Sequence, residues 1–141
     1  MIQETERKCI LIVEDNMSYL KILKMRLESR GYRTIVTEDG LESLNLVRQE
    51  KPDLIICDLM VPRLNGFQVT RIVKNDKNTR HIPIIVLTSR NLEEDIELAL
   101  KCGADVFINK AETFEFIIEK IKQLLKSRSI KSSQEMCCSY V

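Results

Sequence analysis

Cys9-Ile-Leu-Ile-Val13, closed by Glu14-Asp15, is an apolar run without a polar break, and two further runs share its form: Leu54-Ile-Ile-Cys57, closed by Asp58, and Ile82-Pro-Ile-Ile-Val-Leu-Thr88. A short unbroken run rich in Ile and Val suits a strand covered on both faces of a parallel sheet, whereas a half-exposed strand would alternate. Outward from these runs, Arg33-Thr-Ile-Val-Thr37 is more polar, as an edge strand is, and Asp105-Val-Phe-Ile-Asn109 follows Gly103, a helix stop. Between the runs the apolar spacing turns helical. Leu20, Leu23 and Leu27 form one stripe, ended by Gly31, and Leu41, Leu44 and Val47 a second. Phe67, Ile72 and Val73 follow Gly66; Leu92, Ile96, Ala99 and Leu100 mark a fourth helix; Phe114, Ile117, Ile118, Ile121 and Leu125 mark a fifth. Five strand–helix repeats predict an α/β fold with a mostly parallel sheet and right-handed crossovers.

A length of 141 residues favours one domain with a workable core. With 22 Lys and Arg against 21 Asp and Glu, the net charge of +1 supplies no global field to recruit nucleic acid or an anionic membrane. No apolar run approaches a membrane span, and the polar start Met1-Ile-Gln-Glu-Thr-Glu6 has no signal-peptide core, so the expected location is cytoplasmic. Cys9, Cys57 and Cys102 fall singly inside apolar patterns, as small buried hydrophobes do, and only Cys137-Cys138 lies in a polar stretch. The helical period fades after Lys126, and five of the last fifteen residues are serine. The expected division is an extension at 1–7, a domain at 8–126 and a flexible tail at 127–141.

In parallel α/β sheets ligands bind beyond the carboxyl ends of the strands. Those ends carry Glu14-Asp15, Asp58, Thr88-Ser89 and Asn109-Lys110. Three clustered carboxylates raise one another's pKa unless a cation lies between them, and Mg²⁺ suits such a set while keeping positions open for phosphate oxygens. Thr88 and Lys110 then become donors aimed at a phosphoryl group. Glycine occurs only at 31, 40, 66 and 103, which excludes the P-loop and G-x-G-x-x-G patterns. The phosphoryl group must come from another donor, and a carboxylate of the cluster is the direct acceptor, as an acyl phosphate. Each of these residues alone would be an ordinary strand-end or loop residue; their coincidence at one rim makes the case. His81 is the single histidine and stands in a loop, which leaves Ser-His-Asp and Cys-His schemes without a base.

Taken together, Ile12-Val-Glu-Asp-Asn16, Asp58-Leu-Met-Val-Pro62 with Asn65-Gly66, Pro83-Ile-Ile-Val-Leu-Thr88, Gly103-Ala-Asp105 and Lys110 resemble the receiver domain of two-component response regulators, over about residues 8–126. The resemblance implies a flavodoxin-like (βα)5 sandwich with strand order 2-1-3-4-5. It implies Asp58 as phosphoacceptor, Asp15, Asp58 and the Met60 carbonyl as Mg²⁺ ligands, and Glu14 supporting the metal through water. Thr88 and Lys110 would hold the phosphoryl oxygens, and Thr88 with Phe107 would form the switch. Two positions depart from the family's pattern: Ala111 follows Lys110 where proline joined by a cis bond is usual, and a trans bond is expected; Phe107 stands where tyrosine is common. Met60 and Arg90 occupy the places that tune access of water.

The expected function is a phosphorylation-dependent switch of a two-component phosphorelay, not an enzyme beyond its own phosphorylation and dephosphorylation. Its partners would be a histidine kinase or histidine phosphotransfer protein and a downstream protein, without direct nucleic-acid binding or membrane insertion; a phosphorylation-dependent dimer is compatible with this. The rival is a small Mg²⁺-dependent phosphatase or phosphotransferase with an aspartate nucleophile, but its D-x-D signature would need Asp where Met60 stands. No output domain fits into the residues after Lys126. On the first helix, at 100° per residue, Ile22 and Met25 point away from the stripe of Leu20, Leu23 and Leu27. They are expected on the surface, where a phosphodonor could dock.

Overall fold

The computed structural model describes residues 7–90 and 92–134. Strands β1 (Cys9–Val13), β2 (Arg33–Thr37), β3 (Leu54–Asp58), β4 (Ile84–Thr88) and β5 (Val106–Asn109) alternate with helices α1 (Met17–Ser29), α2 (Gly40–Glu50), α3 (Gly66–Asn75), α4 (Glu93–Lys101) and α5 (Phe114–Gln134). The sheet order is β2-β1-β3-β4-β5 and every pairing is parallel. The three unbroken apolar runs are the three central strands, buried along their whole length, and the polar run Arg33–Thr37 is an edge. β4 begins at Ile84 rather than Ile82: Pro83 has no N–H to give the ladder, although its carbonyl accepts from the Ile55 amide at 3.0 Å.

Because side chains alternate along a strand, the sheet builds two cores. Leu11, Val13, Ile55, Cys57, Ile84 and Val86 pack with Leu44 and Val47 of α2, Val69 and Val73 of α3 and Ala99 of α4. Ile10, Ile12, Leu54, Ile56, Ile85, Leu87 and Ile108 pack with Leu20, Leu23 and Leu27 of α1 and Ile117, Ile118 and Ile121 of α5. The stripes of α1 and α5 are those the spacing marks. On the shorter helices the buried stripe is narrower than expected: Leu41, Ile72, Leu92 and Leu100 are exposed, and Ser43, Thr70 and Asp95 are buried. Leu92 is the N-cap of α4, with extended φ and ψ, so it precedes the face on which its spacing would put it. Helix α5 runs on to Gln134, past Lys126, where its apolar spacing ends. Cys9 and Cys57 are buried as expected, while Cys137 and Cys138 lie outside the described residues.

Helix ends are set by local chemistry. Asn16 accepts from the Tyr19 amide, Asp39 from those of Leu41 and Glu42, and Asn65 forms a capping box with Gln68, at 2.9 and 3.0 Å. Gly31 (φ +93°) and Gly103 (φ +104°) stop α1 and α4 in the left-handed region. Gly40 serves a different need. The loop after β3 crosses the start of α2 so closely that a Cβ at 40 would stand 1.9 Å from the Leu64 carbonyl oxygen, while the Gly40 amide donates to Pro62 at 3.1 Å. Arg63 (φ 73°) ties the same loop to the α2 cap through an ion pair with Asp39 at 3.0 Å. Gly40→Ala should therefore lower stability by about 1–3 kcal/mol, the usual cost of forcing atoms into a packed site. Denaturant unfolding checks this, and an unchanged midpoint would mean that the loop can lift off without cost.

Candidate functional site

Val13 and Cys57 are register partners, so the next residues, Glu14 and Asp58, leave adjacent strands side by side. At this point the chain also changes face: α1 follows β1 on one side of the sheet and α3 follows β3 on the other. A sheet of this kind opens its crevice at such a switch. Gly66 lets α3 start against the Asp58 backbone, where a Cβ would come within 2.9 Å of the Asp58 carbonyl oxygen, and its amide donates to the Leu59 carbonyl at 2.9 Å.

Glu14 is 1% exposed and Asp58 6%, whereas Asp15 faces solvent. One carboxylate oxygen from each of the three lies within 4.8 Å of the others. Lys110 reaches in from the end of β5, with Nζ 2.7 Å from Glu14 Oε1 and 3.3 Å from Asp58 Oδ1. Its amide donates to the Thr88 carbonyl at 2.7 Å, which fixes the root of the side chain, and the Lys110–Ala111 bond is trans. Lys110 Nζ also lies 4.6 Å from the centroid of the Tyr19 ring.

Burial raises the pKa of Glu14, against the pull of Lys110 and of the Asn16 amide, which donates to Oε2 at 3.0 Å. Burial likewise raises Asp58, helped by the Asp15 charge and opposed by Lys110 and the Met60 main-chain N–H. Tyr19 is pushed up to about 12 by burial and by the two carboxylates. One ammonium thus fails to balance the buried negative charge. A set of hard oxygen donors that close, with excess negative charge, fits a divalent ion such as Mg²⁺.

Of the residues singled out from the sequence, Glu14, Asp15, Asp58 and Lys110 meet at one point. Thr88 ends β4, the strand next to β3, but its buried hydroxyl oxygen accepts from the Arg90 amide at 2.9 Å. Arg90 is held by Asp95 through three hydrogen bonds of 2.7–3.0 Å, and its carbonyl accepts from Asn109 Nδ2 at 3.3 Å. Phe107 is half-buried against the core on the α4 side, and Met60 is exposed. Sequence reasoning passed over Tyr19 and Asp95. Tyr19 lies in the first turn of α1, three residues after the Asn16 cap that accepts from its amide, which places it next to the acidic rim. Asp95 had no comparable sign, since three consecutive acidic residues open α4 and only one turns inward.

The model of the response regulator receiver domain matches residues 10–122. The chain belongs to the receiver family. It is 39% identical over 118 residues to the polar-differentiation response regulator DivK of Brucella anthropi, covering 84% of this chain and 96% of DivK. Among solved structures it is similar to the receiver domain of a signal transduction histidine kinase from Syntrophus aciditrophicus (33% identity, TM-score 0.81, 94% of this chain and 99% of that one). A CheY-like receiver from Methanospirillum hungatei gives 27% identity and a TM-score of 0.83 over 89% of this chain and 98% of its own. The receiver domain of a Pseudomonas aeruginosa sensor histidine kinase, solved with magnesium coordinated in its active-site cleft, gives 28% and 0.79 over 85% and 98%. The receiver is a phosphorylation-dependent switch of two-component signalling, with the flavodoxin-like (βα)5 fold. Among the described residues no helix is long and apolar enough to cross a membrane.

The raised carboxyls set a pH dependence for the metal-free receiver. A carboxyl whose folded pKa exceeds its unfolded value binds its proton more tightly in the native state. Its contribution to stability is complete below the ordinary values of 3.8 for Asp58 and 4.5 for Glu14, and is lost as pH rises through the raised folded values. With chelator present, Asp58→Asn should therefore raise the thermal midpoint at pH 7, and the gain should shrink toward pH 4. A destabilised variant at pH 7 would show that the Lys110 pairing outweighs the burial.

Proposed function

We propose that Asp58 is the phosphoacceptor of this receiver, with Lys110 and Thr88 holding the transferred group and Glu14, Asp15, Asp58 and the Met60 carbonyl holding Mg²⁺. The observation that carries this is the pair of buried carboxylates on adjacent strand ends, sharing one ammonium at the switch point of the sheet. A carboxylate oxygen of Asp58 attacks phosphorus in line; the bond to the donor nitrogen breaks, and its electron pair leaves with the imidazole of a phosphohistidine. Bound magnesium would neutralise the acceptor and the phosphoryl oxygens. Lys110 offers an ammonium already within reach of the acceptor carboxylate. Thr88 exchanges the Arg90 amide for a phosphoryl oxygen, and the space it vacates admits Phe107. The face of α4, β5 and α5 then changes shape for a downstream protein or a second copy.

In this reading the receiver unit catalyses only its own phosphorylation and dephosphorylation; the expected tail does not begin at 127, because α5 carries on to Gln134. The donor is a histidine kinase or phosphotransfer protein, and since phosphohistidine is made from ATP, the protein works in the cytoplasm. Asp58→Asn should abolish acid-labile, hydroxylamine-sensitive phosphate, as should removal of Mg²⁺; undiminished labelling would move the acceptor elsewhere. The wild type should take up one phosphoryl group per chain, whereas many turnovers of released phosphate would favour an aspartate-nucleophile phosphatase.

Docking of the donor falls to α1. Its inner face buries Leu20, Leu23 and Leu27, while Ile22 (40%) and Met25 (60%) are exposed on the helix that starts at the rim. Contact there would hold the phosphohistidine in line with Asp58 and leave the chemistry to the rim. Ile22→Glu combined with Met25→Glu should slow transfer from the cognate kinase while sparing labelling by acetyl phosphate. Equal loss with both donors would indicate a damaged fold or active site, and no loss with either would remove these residues from the docking surface.

A further inference from the structure

Lys110 must hold its ammonium in one place although its stem is four methylenes long, and two carboxylates compete for it, at 2.7 and 3.3 Å. The backbone fixes only the root: the Lys110 amide is bound to Thr88, and the Ala111 amide donates to Asn109 Oδ1 at 2.8 Å. The other end has a different restraint. Nζ lies 4.6 Å from the centroid of the Tyr19 ring, within the roughly 6 Å over which a cation is drawn to an aromatic face, and the lysine side chain is only 16% exposed. That ring is itself held. Its centroid is 5.5 Å from that of Phe114, which carries the Arg26 guanidinium at 5.1 Å, and the Tyr19 amide is bound by the Asn16 cap at 3.1 Å. The Tyr19 hydroxyl is buried and meets no hydrogen-bond partner among the described residues. The face of the ring, rather than its polar end, therefore makes the contact at the site.

We propose that Tyr19 is a positioning residue for phosphoryl transfer: its ring face fixes the Lys110 ammonium between Glu14 and Asp58, where it meets the incoming phosphoryl oxygens. This rests on Asp58 being the acceptor. Tyr19 touches neither donor nor phosphoryl group and acts only through Lys110. The ring lets the ammonium pivot from Glu14 toward the new oxygens without swinging out to water, a restraint that neither carboxylate supplies once Asp58 is modified.

The test is the rate of phosphorylation by acetyl phosphate with saturating Mg²⁺, measured against donor concentration. Tyr19→Leu should lower the maximal rate by about three- to tenfold, the range expected for a partly desolvated cation–π contact. Protection from thermal unfolding by Mg²⁺ should stay within about twofold of wild type in apparent affinity. Tyr19→Phe, which restores the ring without the hydroxyl, should recover the rate. In a Lys110→Ala background, Tyr19→Leu should cause no further loss, since the residue acts through the lysine. A full rate in Tyr19→Leu would overturn the proposal, as would a Tyr19→Phe variant as slow as Tyr19→Leu. Losses that multiply in the Lys110→Ala background would also overturn it, because they indicate damage to packing against Phe114. Asp58→Asn separates the two readings: persistent labelling there removes the acceptor and this role together, whereas loss of labelling with a full rate in Tyr19→Leu removes only the role of Tyr19.

Discussion

Glu14 and Asp58 end adjacent parallel strands, and both carboxylates are buried within reach of a single ammonium. Like charges less than 5 Å apart repel by on the order of 3 kcal/mol at an effective dielectric constant near 20, and the solvent-facing Asp15 adds to this. The apolar sheet beneath cannot relax to separate them, since β1 and β3 are buried along their whole length between two layers of helices. The site is thus held in a state of excess negative charge by the packing of the core. That state lends the rim its affinity for a hard cation and for a phosphoryl group arriving with one. The same rigidity keeps the acceptor in place during transfer, since little has to reorganise when charge moves.

Around that fixed centre the loops are tied in different ways. The loop after β3 is clamped on α2 by the close approach of Leu64 to Gly40 and by Arg63 with Asp39. The loop after β4 is clasped instead by side chains, with Thr88 accepting from Arg90 and Arg90 forked on Asp95. A backbone clamp resists change, whereas a clasp built from a hydroxyl and an exposed arginine can be exchanged for another hydrogen bond. The element suited to report on the acceptor is accordingly the β4–α4 side, and Phe107 rests against the core there.

The three unbroken apolar runs mark the covered parallel strands, the two more polar runs and the five helical stripes complete the strand–helix units, and the polar residues that close the runs mark the rim. The covered strands are legible because burial of a strand on both faces leaves no polar position within it, so hydrophobicity alone marks it. The short helices were read less well. Leu41, Ile72 and Leu100 satisfy a helical spacing yet face outward, because α2, α3 and α4 each cover only part of the sheet and bury Ser43, Thr70 and Asp95 beside a few apolar side chains. The motifs carried the resemblance to receivers, and with it the strand order, which spacing alone does not contain.

The sequence by itself determined which residues reach the rim, because the end of each apolar run places Glu14, Asp15, Asp58, Thr88 and Lys110 at the end of a strand. Tertiary structure decided how they meet. The register of β1 on β3 puts two carboxylates side by side, the root of Lys110 on Thr88 lets its ammonium bridge them, and α1 brings the Tyr19 ring beneath that ammonium. Asp95 became the partner of Arg90 only when α4 turned one of three acidic residues inward. Linear spacing fixes a residue's place along its own element, but the pairing of charges and rings is set by how separate elements pack, through contacts between residues as far apart as Tyr19 and Lys110.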